Sequence, residues 1–187
     1  MPTPAKTSTD EIVAAGRGLL EREGLDALTL KAVAEIVGVR APSLYKRIGG
    51  RGDLVRRIVN VVSDELAAQL AAAPGSADAR DSLRGMVLAA RAFALAHPHA
   101  YGLLFAPLPE DWGIDPDVNA RISGIVIGAA GRVAGEDDAL TAARLVVAWI
   151  HGFVTMELAG AFRLGGDVDG SFDYGIDALL RGIAQPG

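Results

Sequence analysis

The chain has 187 residues and a mass of 19.3 kDa. Half of its residues are apolar and 22% are charged, so it can bury a core, and wholesale disorder is not expected. It contains no cysteine, which excludes disulfides, thiolate metal sites, iron–sulfur clusters and cysteine nucleophiles and fits a cytoplasmic location. The formal net charge of −5, taken alone, argues against nucleic-acid binding.

Helical periodicity runs through nearly the whole chain, and no alternation typical of strands persists. The pattern predicts an all-α fold of about nine helices. Ser8-x-x-Glu11 forms a capping box that opens the first helix, and Gly24 ends it. The next three helices are predicted at residues 30–37, 42–48 and 53–72.

Beyond Pro74-Gly75 the sequence predicts four or five further helices. Their limits are 78–96, 99–105, 115–134, 138–162 and 171–184. The helix at 138–162 is apolar on nearly all sides, so it must be covered on all sides. Its longest apolar run, residues 145–150, is far shorter than the roughly 20 residues that span a bilayer. Met1–Asp10 is polar and lacks an apolar signal core, so we expect no membrane contact.

Charge is divided unevenly along the chain. Residues 1–60 carry ten Lys and Arg against seven Asp and Glu, whereas residues 61–187 carry eight against sixteen. A basic patch of this kind fits a phosphate backbone, although ordinary scatter of surface charge would look the same. Because the acidic remainder would repel a polyanion, any nucleic-acid binding is expected in the N-terminal part.

The segment at residues 29–48 reads TLKAVAEIVGVRAPSLYKRI and matches a helix-turn-helix. The small Ala34 lies where the two helices would cross, Gly38 serves the turn, and Val39 and Leu44 are apolar plugs. A plain two-helix corner would share this pattern. The polar face of the second helix separates the two interpretations, because it clusters residues that can contact a DNA major groove: Arg40, Ser43, Tyr45, Lys46 and Arg47.

Residues 9–54 resemble the N-terminal domain of TetR-family transcriptional regulators. The features that carry the resemblance are Glu23-Gly24, Thr29-Leu30, Ala34-Glu35, Gly38-Val39, Ser43-Leu44-Tyr45 and Arg51-Gly52-Asp53-Leu54. Two departures are Ile48, where the family usually has an aromatic residue, and Arg51, where it usually has Lys. The resemblance implies a DNA-binding domain at residues 8–54 and a helical ligand-binding and dimerisation domain at residues 55–187.

The resemblance also implies which residues contact double-stranded DNA. Thr29 would meet a phosphate at the start of the second helix, and Arg51 would hold one from the fourth. Arg40 and Lys46 are the candidates for direct base readout. The full predicted set is Thr29, Lys31, Arg40, Ala41, Pro42, Ser43, Tyr45, Lys46, Arg47 and Arg51.

Residues 145–162, which read LVVAWIHGFVTMELAGAF, are similar to a C-terminal domain type found in many actinobacterial members of this family. The marks of this type are His151-Gly152-Phe153 and Glu157. The similarity implies a homodimer in which the last two helices of each subunit form a four-helix interface. Such a two-fold assembly matches a pseudo-palindromic operator.

In the family, the C-terminal domain holds a pocket for a small molecule. The candidate lining residues are Met86, Phe93, Phe105, Trp112, Ile122, Trp149, Phe153 and Met156, each of which could equally belong to the plain core. The implied function is a repressor that a ligand releases from its operator, with an activator or co-regulator as the alternative.

A small all-α enzyme is a remote alternative, because no set of catalytic partners converges in the sequence. His97-Pro98-His99 resembles half of a metal site, but the proline interrupts the helix and no third ligand lies nearby. His151 is interpreted as a core residue of an apolar helix. No P-loop, nucleophile elbow or dinucleotide fingerprint is present, so neither a metal nor a cofactor is expected.

Overall fold

The computed structural model describes residues 7–184, which contain nine α-helices and no strand. The helices are α1 (Thr9–Glu23), α2 (Leu30–Ile36), α3 (Ala41–Leu44), α4 (Arg51–Ala71), α5 (Ala79–Ala96), α6 (Pro98–Leu104), α7 (Pro116–Ala134), α8 (Ala139–Leu158) and α9 (Val168–Ile183). A 3-10 turn, Glu110–Trp112, lies between α6 and α7. The predicted all-α class is confirmed. The start of the polar segment Met1–Asp10 and the last residues of the predicted domain 55–187 lie outside the described residues.

The predicted capping box at the start of α1 is present. The backbone N–H of Glu11 donates to Ser8 Oγ at 3.1 Å, and the backbone N–H of Ser8 donates to Glu11 Oε2 at 2.8 Å. Each side chain therefore satisfies an N–H group that the helix itself leaves without a partner. At the other end, Gly24 adopts φ 79°, a conformation that favours glycine, and stops the helix as predicted.

Three helix limits differ from the prediction by three or four residues, and the others agree within two. α3 ends at Leu44 rather than Ile48, and the N–H groups of Arg47 and Ile48 both donate to the Leu44 carbonyl in a turn. α8 ends at Leu158 rather than Phe162, because Gly160 takes φ 61° and turns the chain away. α9 begins at Val168 rather than Ser171, because Asp167 caps it by accepting the Asp169 N–H at 3.0 Å.

The backbone divides into two compact units. The first unit comprises residues up to 64 together with 97–118, and the second comprises 65–96 together with residues from 119 onward. The predicted limits of 8–54 and 55–187 concern functional domains and stay a prediction.

Helices α1, α2, α3 and the start of α4 build the core of the first unit around Leu20, Leu28, Leu54 and Ile58, which are at most 1% exposed. Gly16 permits close packing of α1 on α4, since an added Cβ there would lie 2.9 Å from Ile58 Cδ1. Deep burial of these aliphatic side chains is the main term that stabilises the unit.

The start of α6 is fixed to α1 in the first unit by Glu21. The backbone N–H groups of His99 and Ala100 donate to the two carboxylate oxygens of Glu21 at 3.2 and 3.3 Å. His99 Nδ1 lies 2.8 Å from the Glu21 carbonyl, which can only accept, so this nitrogen carries the hydrogen. The carboxylate also pairs with Arg17. Residues from the middle of the sequence thereby become part of the N-terminal unit.

In the second unit, Arg91 joins three helices. From α5 it donates to both carboxylate oxygens of Glu157 on α8 and to Asp169 on α9, at 2.5–2.9 Å. Its guanidinium also lies 4.5 Å from the ring centroid of Phe172. The Glu157 and Asp169 side chains, Glu157 foremost, raise the pKa of Arg91 above its usual value, so it stays a cation.

Candidate nucleic-acid interface

The turn between α2 and α3 is held as a helix-turn-helix requires. Val33 and Ala34 on α2 and Leu44 on α3 are at most 2% exposed. Gly38 adopts φ 71° in the turn, and the Val39 N–H donates to the Ala34 carbonyl at 3.0 Å. A side chain at position 38 would be strained in this conformation, so the glycine is needed for the geometry. The two helices are therefore held rigidly against each other.

The polar side chains of this segment point into solvent. The exposed members of the predicted set are Thr29, Lys31, Arg40, Pro42, Ser43, Tyr45 and Lys46, while Ala41 and Arg47 are half-buried. Tyr45 is the most exposed large apolar side chain here, with 62% of its surface accessible. The segment presents positive charge and hydroxyl donors, which suit a phosphate backbone and base edges.

Thr29 is the N-cap of α2. Its Oγ1 accepts the Ala32 N–H at 3.1 Å, and its own backbone is extended. The hydroxyl hydrogen can still be donated, and the helix N-terminus favours negative charge. This geometry supports the predicted phosphate contact, which stays a prediction.

Arg51 lies in a different environment from the other nine residues. Its Nε donates to the Leu28 carbonyl at 2.8 Å and its Nη2 to the Leu25 carbonyl at 2.7 Å. Its guanidinium carbon also lies 5.4 Å from the ring centroid of Trp112. Two of its three nitrogens are thus used within the first unit, where they fix the loop before α2. Its predicted phosphate contact remains a prediction.

The loop before α7 contacts the first half of α4, and sequence reasoning missed this contact. Asp115 accepts Arg56 Nη1 at 2.9 Å and Asn60 Nδ2 at 2.6 Å, and its own N–H donates to Asn60 Oδ1. The indole of Trp112 lies so close to Gly52 that an added Cβ would clash with it. These contacts span more than 50 positions, and no local pattern signals them.

Asp53 completes this network at the start of α4. Burial raises its pKa, but the Gly49 N–H and the guanidinium groups of Arg57 and Arg56 lower it more, so the net direction is downward. Asp53 is therefore ionised at neutral pH. It forms ion pairs with Arg56 and Arg57, two of the ten basic residues that make the N-terminal part positive. The exposed cations of the predicted DNA-contact set lie on α2 and around α3, namely Lys31, Arg40 and Lys46.

The eight candidate ligand residues divide between the two units. Phe105 and Trp112 belong to the first unit, and Trp112 lines a cleft there with Asp53, Arg56 and residues 110–116. The remaining six, Met86, Phe93, Ile122, Trp149, Phe153 and Met156, belong to the second unit.

Within the second unit, Trp149 and Phe153 contact the buried Phe172, with ring centroids 5.1 Å away in each case. Phe93 is buried, whereas Met156 is 48% exposed. These contacts fit both a ligand pocket and a plain core, so the predicted ligand-lining role of these residues stays a prediction. Across residues 7–184, no group of three or more His, Asp or Glu side chains is placed to hold a metal ion.

Two family models match the chain. Residues 12–58 match the model described as bacterial regulatory proteins, tetR family. Residues 83–179 match the model described as Tetracyclin repressor-like, C-terminal domain. The first match contains the exposed basic segment and its supporting core, and the second covers α5 to α9 with little omitted.

Similar proteins extend over almost the whole chain. The uncharacterized HTH-type transcriptional regulator Rv0681 of Mycobacterium tuberculosis is 33% identical over 95% of this chain and 81% of its own length. The crystal structure of BioQ with its double-stranded DNA operator has a TM-score of 0.68 at 23% identity, covering 96% of this chain and 99% of that one. The crystal structure of a TetR variant from Acinetobacter baumannii in complex with minocycline has a TM-score of 0.70 at 22% identity, covering 94% and 96%. At these identities the two structures establish a shared fold.

Proposed function

Because this chain belongs to the TetR family of DNA-binding transcriptional regulators and is not an enzyme, we propose that it is a homodimeric repressor which a small-molecule ligand releases from its operator. The observation that carries the proposal is the solvent-exposed, cationic α3 segment, held rigidly by α2 and Gly38. An α-helix fits the major groove of DNA, and charged and hydroxyl side chains at its start can reach bases and phosphates.

The proposed DNA contacts are the exposed residues around α2 and α3. In this proposal Arg40 and Lys46 read base edges, and Tyr45 and Thr29 contact phosphates; all four side chains are exposed. Ala41 and Pro42 begin α3 and offer apolar contact, such as to a thymine methyl group. Lys31, Ser43 and Arg47 add charge and hydrogen bonding at the edges of the surface.

The proposed homodimer would use α8 and α9. α8 is long and apolar enough to cross a membrane by length and composition alone, yet only 28% of its most apolar window is buried. Its exposed apolar side chains include Leu140, Leu145 and Met156, each 47–49% accessible. Because large apolar side chains exposed along a whole helix are costly to leave in water, they need a cover. A second copy is the cover we propose, in a cytoplasmic protein without membrane contact.

The ligand would bind in the second unit. Residues around Trp149 and Phe153 supply apolar, aromatic surface of the kind that small-molecule sites use. Release of DNA requires that the ligand bind more tightly to a conformation in which the two DNA-binding surfaces of the dimer are wrongly spaced. The solved structure in complex with minocycline supports a ligand site on this fold.

The test begins with selection of genomic DNA fragments by the purified protein. Binding of a recovered fragment is then measured at several salt concentrations. We expect specific binding. The logarithm of its association constant should fall linearly with the logarithm of the salt concentration, with a slope of about −0.9 for each phosphate neutralised. Failure to recover any fragment, even at low salt, would refute the proposal.

Two variants test the site assignment. Tyr45→Ala and Lys46→Ala should each weaken binding to the recovered fragment while the dimer survives. Arg163→Ala, which removes an exposed cation from the second unit, is the matched control and should bind as the wild type does. A transcription assay on the neighbouring promoter decides between repression and the alternative, activation.

A further inference from the structure

Trp112 lies in a loop from the middle of the sequence and contacts the start of α4, which shares a core with the proposed DNA-binding helices. Its indole lies against the first turn of α4, at Gly52, and beside the guanidinium of Arg51. The adjoining Asp115 holds the same loop through Asn60 and Arg56, so the ring is carried on a fixed backbone. The indole is therefore placed by two independent sets of contacts.

Arg51 connects Trp112 to the loop that precedes α2. It donates to the carbonyls of Leu25 and Leu28, and Leu28 directly precedes Thr29, the N-cap of α2. A ring face over the guanidinium favours this orientation of Arg51 through a cation–π contact. A continuous set of contacts thus runs from Trp112 through Arg51 to the loop that starts the helix-turn-helix.

We propose that Trp112 is a positioning residue for DNA binding, which keeps Arg51 on the α1–α2 loop and so fixes the start of α2. The inference rests on the proposed function, because it concerns affinity for an operator. It assigns Trp112 to the DNA-binding unit, outside the predicted domain of residues 8–54 and apart from the six candidate ligand residues of the second unit.

The test compares variants on a DNA fragment selected by the wild-type protein. Trp112→Ala should weaken binding about tenfold. This is the scale expected when one cation–π contact is lost and Arg51 is no longer held on the α1–α2 loop. Trp112→Phe keeps a ring face over Arg51 and should restore most of the affinity. Phe105→Ala is the matched control and should bind as the wild type does, since this half-exposed ring of the same unit lies tilted against Tyr101, with ring centroids 5.2 Å apart.

Gly52→Ala is a second route to the same state, because the new Cβ must displace the indole. Alanine has a higher helix propensity than glycine, so the substitution by itself should make α4 more stable. Displacement of Trp112 should instead weaken DNA binding. Weaker binding by a protein that unfolds at or above the wild-type temperature therefore supports the inference, and unchanged binding overturns it.

A spectroscopic readout follows the contact itself. The chain has two tryptophans, so Trp149→Phe leaves Trp112 as the sole tryptophan emitter. In that background Arg51→Ala should shift the emission of Trp112, and an unchanged spectrum would contradict the contact.

Several binding results would also overturn the inference: wild-type affinity in Trp112→Ala, an equal loss in Phe105→Ala, or a Phe variant as weak as the Ala variant. A wild-type protein that selects no DNA at all would instead count against the proposed function.

Discussion

At the scale of single residues, the ion pairs of the second unit differ in what they contribute to stability. Arg91 is 11% exposed, and its removal leaves Glu157, at 18%, as a poorly solvated charge. We expect Arg91→Ala to lower the free energy of unfolding by about 3 kcal/mol. Arg84 pairs with Asp173 and Asp177 but all three are about one-third to one-half exposed, so Arg84→Ala should cost less than about 1 kcal/mol. Urea denaturation of both variants checks the difference, and equal losses would contradict it.

Tyr101 gives the protein a specific response to alkali. Burial raises the pKa of its phenol to about 12, from the ordinary 10.0. Because the folded state holds the proton more tightly, this contribution to stability is complete below about pH 10 and is lost as the pH rises toward 12. Tyr101→Phe cannot ionise, so its free energy of unfolding should fall less steeply over that range. Denaturation at several alkaline pH values measures the two slopes, and parallel curves would rule out this role for Tyr101.

At the scale of elements, α1 depends on the exposed capping box at its start. Ser8→Ala removes the oxygen that accepts the Glu11 N–H, so we expect the free energy of unfolding to fall by about 1 kcal/mol. Ser8→Gly lacks the same oxygen but suits the non-helical backbone of the cap, and should cost only a few tenths of a kcal/mol relative to serine. Thermal unfolding of both variants ranks them. A Gly variant as unstable as the Ala variant would show that the backbone preference of the cap is irrelevant here.

Elements with local signals were predictable from the sequence, and those defined by distant contacts were not. Ser8 and Gly24 bounded α1 correctly because caps act within one helical turn. The end of α8 was placed too late, because Ala161 and Phe162 continue the apolar pattern and only the backbone reveals the turn at Gly160. The start of α9 was placed too late for a related reason, since residues 168–170 resemble a loop until Asp167 is seen to cap the helix.

The candidate site also contains residues that local sequence signals predicted and residues whose contacts depend on distant parts of the chain. Residues 29–47 form one stretch of sequence, so their charge and spacing could be interpreted without tertiary information. The bonds of Arg51 to Leu25 and Leu28 were hidden, because nothing near position 51 indicates an internal carbonyl partner. The place of Trp112 was hidden by its distance along the chain, and its apolar character equally fitted a ligand pocket.

At the scale of the whole molecule, the exposed apolar side chains of α8 should control assembly. Met156→Arg places a charge where the proposed second copy would bury a methyl group, so the protein should become monomeric and lose most of its affinity for a two-fold operator. Leu164→Arg is the control, because this side chain lies fully exposed in the α8–α9 loop and its replacement should leave the dimer intact. Sedimentation velocity measures the mass of both variants. A Met156→Arg protein that remains a dimer would exclude this part of α8 from the interface.

The two-part origin of the first unit limits how this protein can be recombined with its relatives. A chimera joined after residue 64 would bring its own Glu21 but a foreign partner for it in place of His99 and Ala100. It would likewise bring Gly52 without the indole that rests on it. Grafted operator specificity should therefore survive only when residues 97–118 come from the same parent as residues 7–64, so that two crossovers more are needed than the linear order of the domains suggests.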